Sequence, residues 1–539
     1  MANPISRRDF LKSSLFAGAA FGLGFSDASD IRVGNHFDTI VKNGLIYTGD
    51  GRTPVNSSLG IKNGKIAALG EIGNSADVLI DAAGKAVSPG FIDIHSHTDG
   101  NIFYAPLGDS KIYQGVTTDI GGNCGESVFP GTRWQSISDY YSDLRSCGHG
   151  FNVGSFIGQG TLRHIVVGDN NVPATNEQIK IMKYLLEQEM ERGAIGITCG
   201  LEYTPGSYAT TDEIAELCKV VAKRGGLFAI HMRNEDDHVE EALEEAIAIA
   251  NKAGVKLEIS HLKAQNAANW HKATNLISRI EKARASGLDI AFDRYPYIAF
   301  STGMSIFVPL NDRQGSNAEI VARLNDDKKA KEIGKWVMAR MNRLGGSQNV
   351  MITSARKPEN RKFIGLNVKE CAKLHGTDEW EFIRYILVSE EMVVDIVGFA
   401  MKEEKVKLFL SHPLGMPISD CSVYSPTGKL SENMPHPRAY GSFPRFIGKY
   451  CRDEKLMDIS RAIEKCTSLP ASRIGLRNRG LLAVGNWADI TIFDSDKIID
   501  RATFDNPHQF ACGIEHVIVN GVHTIRNGIS TGDLNGVAL

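Results

Sequence analysis

Three short apolar runs in this sequence each finish on a histidine, and no other feature constrains the fold as much. They are Phe91-Ile92-Asp93-Ile94-His95, Leu227-Phe228-Ala229-Ile230-His231 and Leu257-Glu258-Ile259-Ser260-His261. The runs belong to a rhythm that begins at Pro89. Gly115 to Ile120 reads as a buried strand, Asn176 to Arg192 has apolar residues at helical spacing, and Ala194 to Thr198 follows as a strand. Thr210-x-x-Glu213 is the pattern of a capping box opening the next helix. Val239 to Ala253 is helical again, between the second and third histidine-ended runs. Strand and helix alternating at this interval predict parallel βα units. Repeated this often, they predict a TIM-type (β/α)8 barrel, whose active sites lie at the carboxyl ends of the strands.

The two ends of the chain have another texture. Between Phe37 and Val87, short β-rich runs are separated by Asn43-Gly44, Asp50-Gly51 and Asn63-Gly64, strong hairpin signals. Trp487 to Phe493 and His516 to Gly521 repeat that texture. Residues 36–88 and 482–539 are therefore expected to build one small β-sandwich around a barrel at 89–481. The more charged stretch at 311–390 is expected as an insertion capping the barrel mouth. A chain of 539 residues is long enough for both parts.

Residues 1–35 stand apart as a leader. Ser6-Arg7-Arg8-Asp9-Phe10-Leu11-Lys12 precedes a short apolar run, the pattern of a twin-arginine export signal that carries folded proteins to the periplasm. A disordered leader on a cytoplasmic protein is the alternative. No segment has the 18 uninterrupted apolar residues of a membrane span. Lys+Arg at 60 against Asp+Glu at 63 gives no basic surplus for nucleic acid. Nine scattered cysteines without a CxxC pair do not read as a disulfide framework.

The chemistry starts at His95-Ser96-His97. Alternate positions on a strand face the same way, so two imidazoles can be presented to one metal ion. An HxH pair alone is weak, but its place at the end of an apolar strand, with His231 and His261 placed likewise, predicts a zinc site. Asp420, after the late apolar segment Lys407-Leu410, is a carboxylate able to move a proton between water and a leaving amine.

At this point the sequence resembles the N-acyl-D-amino-acid deacylases, or D-aminoacylases, of the amidohydrolase superfamily. The likeness runs from about Phe37 to Gly532. It rests on Pro89–His97, Gly121-Gly122-Asn123-Cys124-Gly125, Gly200-Leu201-Glu202-Tyr203, His231-Met232-Arg233-Asn234-Glu235, Ser260-His261-Leu262-Lys263, Asp293–Tyr297 and Pro435–Arg445, in that order. The resemblance implies that Cys124 replaces the carboxylated lysine of other amidohydrolases. Cys124, His231 and His261 would hold one tightly bound Zn²⁺, with His95 and His97 forming a weaker second site. Zinc lowers the pKa of bound water from ~15.7 to about 7 and polarises the acyl carbonyl; Asp420 would take and return the proton. Tyr203, Lys263 and Tyr295 match the family's substrate-binding positions, and Arg438 could meet a carboxylate or form a structural ion pair. The implied substrate is a small N-acyl amino acid.

Two departures bear on substrate rather than on hydrolysis. Cys421 follows Asp420 where relatives commonly have glycine, and Arg294 replaces a residue that is often glutamine. A hydantoinase-like cyclic amidase shares the barrel and the HxH pair but expects a bridging lysine, which Cys124 argues against. A barrel without catalysis would usually have lost donors, and this chain keeps the set.

Overall fold

In a computed structural model, the structure describes residues 36–539. The twin-arginine expectation falls on residues outside these. Eight parallel strands form the barrel: β1 Phe91–Asp93, β2 Val116–Gly121, β3 Asn152–Ser155 continued by Ile157–Gly158, β4 Gly196–Gly200, β5 Leu227–His231, β6 Lys256–Ile259, β7 Ile290–Arg294 and β8 Gly415–Pro417. Two ladders run through them. One is β1-β2-β3, and the other runs from the continuation of β3 through β4, β5, β6 and β7 to β8. Between β8 and β1 the link is made by the chain just beyond the strands, where Asp420 N–H donates to the His95 carbonyl at 3.0 Å. This is a TIM-type barrel, and its strands are buried on both faces, which is why they read as continuous apolar runs.

Helices Asn176–Glu191, Thr211–Lys223, Val239–Ala253 and Ala273–Ala285 return the chain between successive strands. The capping box expected at Thr210 is half formed. Thr210 accepts from Glu213 N–H, but the Glu213 carboxylate turns to Arg163, a fully buried guanidinium that needs a counter-charge. Lys407-Leu410 lies in helix Glu403–Ser411, which precedes the short β8.

Strands from both ends share one nine-stranded sheet. Ala86–Pro89 pairs antiparallel with Ile490–Phe493, and Val41, Leu59, Val87, Ile490 and Ile518 enclose a separate core. Asn63-Gly64 is the two-residue connection between Val55–Lys62 and Lys65–Gly70, both residues having positive φ as a type I′ turn requires. Asn43-Gly44 makes no hairpin. It sits in a bulge within the strand Phe37–Ile46, where a side chain at position 44 would strike Val87.

Between β7 and β8 the chain leaves the barrel for longer than 311–390. Strands Ala299–Gly303, Val350–Ile352 and Asp395–Phe399 form a three-stranded antiparallel sheet, and helices Asn317–Asn325, Asp327–Arg343, Val368–His375 and Glu379–Ser389 lie between them. Its residues, among them Phe300, Thr302, Phe307 and Arg340, wall one side of a cavity at the barrel mouth.

Candidate active site

The barrel strands deliver their polar residues to one place. His95 and His97 follow β1, Cys124 follows β2, His231 ends β5, His261 follows β6 and Asp420 follows β8. Three of these six, Cys124, His261 and Asp420, have φ of +53°, +36° and +49°. Residues with side chains are uncommon there, and the strain persists only where surrounding structure holds it. Here it turns side chains at three strand ends inward.

The donor atoms almost touch. Cys124 Sγ lies 3.4 Å from His95 Nε2 and 3.4 Å from His261 Nε2, and His261 Nε2 is 3.0 Å from His231 Nδ1. Asp420 Oδ1 lies 3.1 Å from His97 Nε2 and 3.3 Å from His95 Nε2. They form two groups that share the sulfur, Cys124-His231-His261 and His95-His97-Cys124-Asp420.

Each buried histidine has its other nitrogen against a carboxylate. His95 Nδ1 is 3.3 Å from Asp293, His231 Nε2 is 3.3 Å from Glu202, and His261 Nδ1 is 3.0 Å from Glu235. A carboxylate behind the ring fixes its tautomer and leaves the inner nitrogen as an acceptor, the arrangement that metal-binding histidines use. Burial pushes the Cys124 thiol up, but His95 and His261 outweigh it and hold the group well below its usual range, toward thiolate. Burial disfavours charge on His231 too, yet Glu235, Cys124 and Glu202 carry it to about 10, and Asp420 and Cys124 carry His97 to about 9. A thiolate, imidazoles and a carboxylate at these separations fit zinc, a borderline-soft ion satisfied by such donors.

Above the donors opens a cavity of about 470 Å³. Tyr203, Lys263, Tyr295 and Arg438 all line it. Tyr203 packs on His231, ring centroids 4.7 Å apart, and its hydroxyl meets Thr302. Lys263 is no solvated lysine: its Nζ donates to Glu235 at 2.6 Å and it is 2% exposed. The Tyr295 hydroxyl is buried with no hydrogen-bond partner. Arg438 donates to Asp420 at 2.7 Å and stacks on Tyr295, so the ion pair left open by the sequence is there, with the guanidinium Nε unpartnered. Burial pushes the Asp420 carboxyl up, but Arg438, His261 and His95 hold it well below the usual range.

A model of the amidohydrolase family matches residues 78–328 and 365–525, most of the chain. This chain belongs to the amidohydrolase family. An N-acyl-D-glutamate deacylase of Alcaligenes xylosoxydans xylosoxydans is 32% identical to it over 501 residues, covering 90% of this chain and 93% of its own length. The crystal structure of the Bordetella bronchiseptica N-acyl-D-glutamate deacylase, with zinc and a phosphonate that mimics the tetrahedral intermediate, superposes with a TM-score of 0.80 at 31% identity. It covers 94% of this chain and 99% of the neighbour. A D-aminoacylase structure that addresses one-metal activation and second-metal attenuation of a binuclear centre gives 0.80 and 31%, over 93% and 99%.

Several residues of this amidohydrolase that matter at the site carry little signal in sequence. Glu202, Glu235 and Asp293 follow β4, β5 and end β7, and only the folded barrel shows each behind a histidine. Arg233, beside Glu235 in sequence, instead binds Glu245 and the carbonyls of Ser207 and Ala209. Lys111, fully buried behind the donors, ties Asp93 and Asp119 to Ser419 Oγ and the Cys421 carbonyl, on either side of Asp420. Of the two departures, Cys421 lines the cavity beside Asp420, whereas Arg294 is buried, donating to the Tyr297 carbonyl and stacking on Tyr295.

Proposed function

We propose that this amidohydrolase is a zinc-dependent N-acyl-D-amino-acid deacylase, hydrolysing a linear amide to a carboxylate and a free D-amino acid. The observation that carries the reading is the convergence of Cys124 and three carboxylate-backed histidines on Asp420 at the floor of a cavity with cations in its wall. Cys124, His231 and His261 would hold one zinc tightly, and His95 and His97, with Asp420 beside them, a second more weakly. The relatives named above act on N-acyl-D-amino acids, and this supports both the substrate class and the preference for the D form.

Zinc bound there supplies Lewis acidity toward the acyl carbonyl and a water acidic near neutral pH. The protein's own residues do the rest. Asp420, ionised and oriented by Arg438, accepts the proton of the attacking water and delivers it to the departing amine. Lys263 and Tyr295 receive the α-carboxylate of the substrate and orient the amide over the donors. Tyr203 packs on His231 in the cavity wall.

The test is turnover of N-acetyl-D- and N-acetyl-L-amino acids by purified protein, with zinc quantified in the same sample. Release of free D-amino acid with near one tightly held zinc per chain is expected. A protein loaded with zinc that cleaves no N-acetyl amino acid would sink the reading. Cys124→Ala should lose the tight zinc and at least about 100-fold in activity.

A further inference from the structure

A second cavity, of about 940 Å³, meets the first at Cys124, Glu126 and Tyr203. It lies between the loop 126–135, the segment 160–169 and the start of helix Asn317–Asn325. Its wall carries Val128, Pro130, Trp134, Ile165, Pro205 and Ile320. Ile165 is 47% exposed, so part of this apolar surface faces solvent.

The two cavities differ in the polar groups they leave free. In the first, Lys263 and Arg438 are paired with Glu235 and Asp420, and the Tyr295 hydroxyl and Arg438 Nε are buried without hydrogen-bond partners. In the second, His164 pairs with Asp169 at 2.6 Å, and Arg133 stacks on Phe103 and Trp134. Glu126 puts a carboxylate where the two cavities meet. An N-acyl amino acid has an anionic end and an acyl end on opposite sides of its amide. With the amide over the donors, the α-carboxylate is received by the unpartnered Tyr295 hydroxyl and Arg438 Nε of the first cavity. The acyl group is then directed the other way.

We propose that the second cavity is the acyl subsite, and that this enzyme takes N-acyl-D-amino acids with medium-length alkyl chains in preference to N-acetyl ones. The inference rests on the deacylase reading. An acetyl methyl would leave the apolar wall unused, whereas each further methylene covers Trp134, Ile165 or Ile320 and leaves water.

The experiment measures kcat/KM for N-acetyl, N-butanoyl, N-hexanoyl and N-octanoyl derivatives of one D-amino acid on the zinc-loaded enzyme. Full burial of a methylene corresponds to about 4-fold, so about 2-fold per methylene is expected in a subsite open to solvent. Thr132→Trp and Asn317→Trp, two separate ways of narrowing the wall, should each lower the octanoyl-to-acetyl ratio by at least about 5-fold, the gain of two or three methylenes. A kcat/KM that falls from acetyl onward overturns the proposal, as does a ratio that neither variant changes. If no member of the series is cleaved, it is the deacylase reading that fails.

Discussion

Two buried polar clusters lie back to back at the mouth of the barrel, and they are built on opposite principles. Around Lys111, one ammonium sits 2.8 Å from each of two carboxylates, Asp93 and Asp119, all three fully buried. The carboxylates outnumber the ammonium and burial pushes Asp119 up to about 6, yet together they hold Lys111 protonated, above its usual range, despite the burial that opposes it. On the cavity side, donors crowd together instead. Four imidazoles, a thiol biased toward thiolate and a carboxylate approach to 3.0–3.4 Å, with Arg438 as the cation bonded to Asp420. Acceptors this close repel unless a proton or a metal cation lies between them. The inner cluster thus holds its own counter-charge, and the outer one is a site made to bind. Asp420 belongs to both: its side chain faces the histidines, while its neighbours Ser419 and Cys421 are tied to Lys111.

The comparison is broken most directly at the side chain the clusters share. Asp420→Asn keeps the shape but removes the base, and kcat should fall by about 10³-fold, within the range for loss of a general acid–base group. The backbone bond from Asp420 N–H to His95 remains, so zinc content should change little, while the buried Arg438 loses its counter-charge and thermal stability falls. A large loss of zinc would show that Asp420 acts chiefly as a ligand.

Lys111→Met sharpens the other side. It leaves Asp93 and Asp119 buried without their cation, and removing one partner of a buried ion pair costs about 3–5 kcal/mol. Urea denaturation of the zinc-loaded protein should show that loss as a lower midpoint. Native stability with lost activity would mean that the inner cluster serves the reaction and not the fold.

What sequence shows of these clusters follows from how each is assembled. The barrel and its histidines are legible because alternation along a strand and a ligand's residue type are local properties, as His95-Ser96-His97 illustrates. Cys124 is legible only through likeness to a family, since a lone cysteine is most often a small buried residue. The Glu202, Glu235 and Asp293 carboxylates and Lys111 gain their roles from partners on other strands. Lys111 and Ser419 are more than 300 residues apart. The insertion is misjudged for the same reason: its limits are set by the pairing of Ala299–Gly303 with Asp395–Phe399, which no local composition marks. Asn43-Gly44 misleads in the other direction, because a bulge and a hairpin ask for the same residues.

The smallest expected effect separates the clusters by pH. In metal-free protein His97 and His231 lie at about 9 and about 10, above the ordinary imidazole value of about 6.5 that they regain on unfolding. Folded-state values raised in this way give stability that is full below about pH 6.5 and is lost as pH rises through about 9–10. Zinc reverses the sign, because its histidine ligands must be neutral and protons compete with it less as pH rises. The Tm of chelated protein should therefore fall by a few degrees between pH 6.5 and 9.5, while the gap between zinc-loaded and chelated protein widens. In the Lys111 cluster Asp119, at about 6, finishes ionising at the foot of that window and Lys111 keeps its proton throughout, so the cluster contributes little slope. Parallel curves would mean that the histidines are not charged without metal, and that the outer cluster is as self-contained as the inner one.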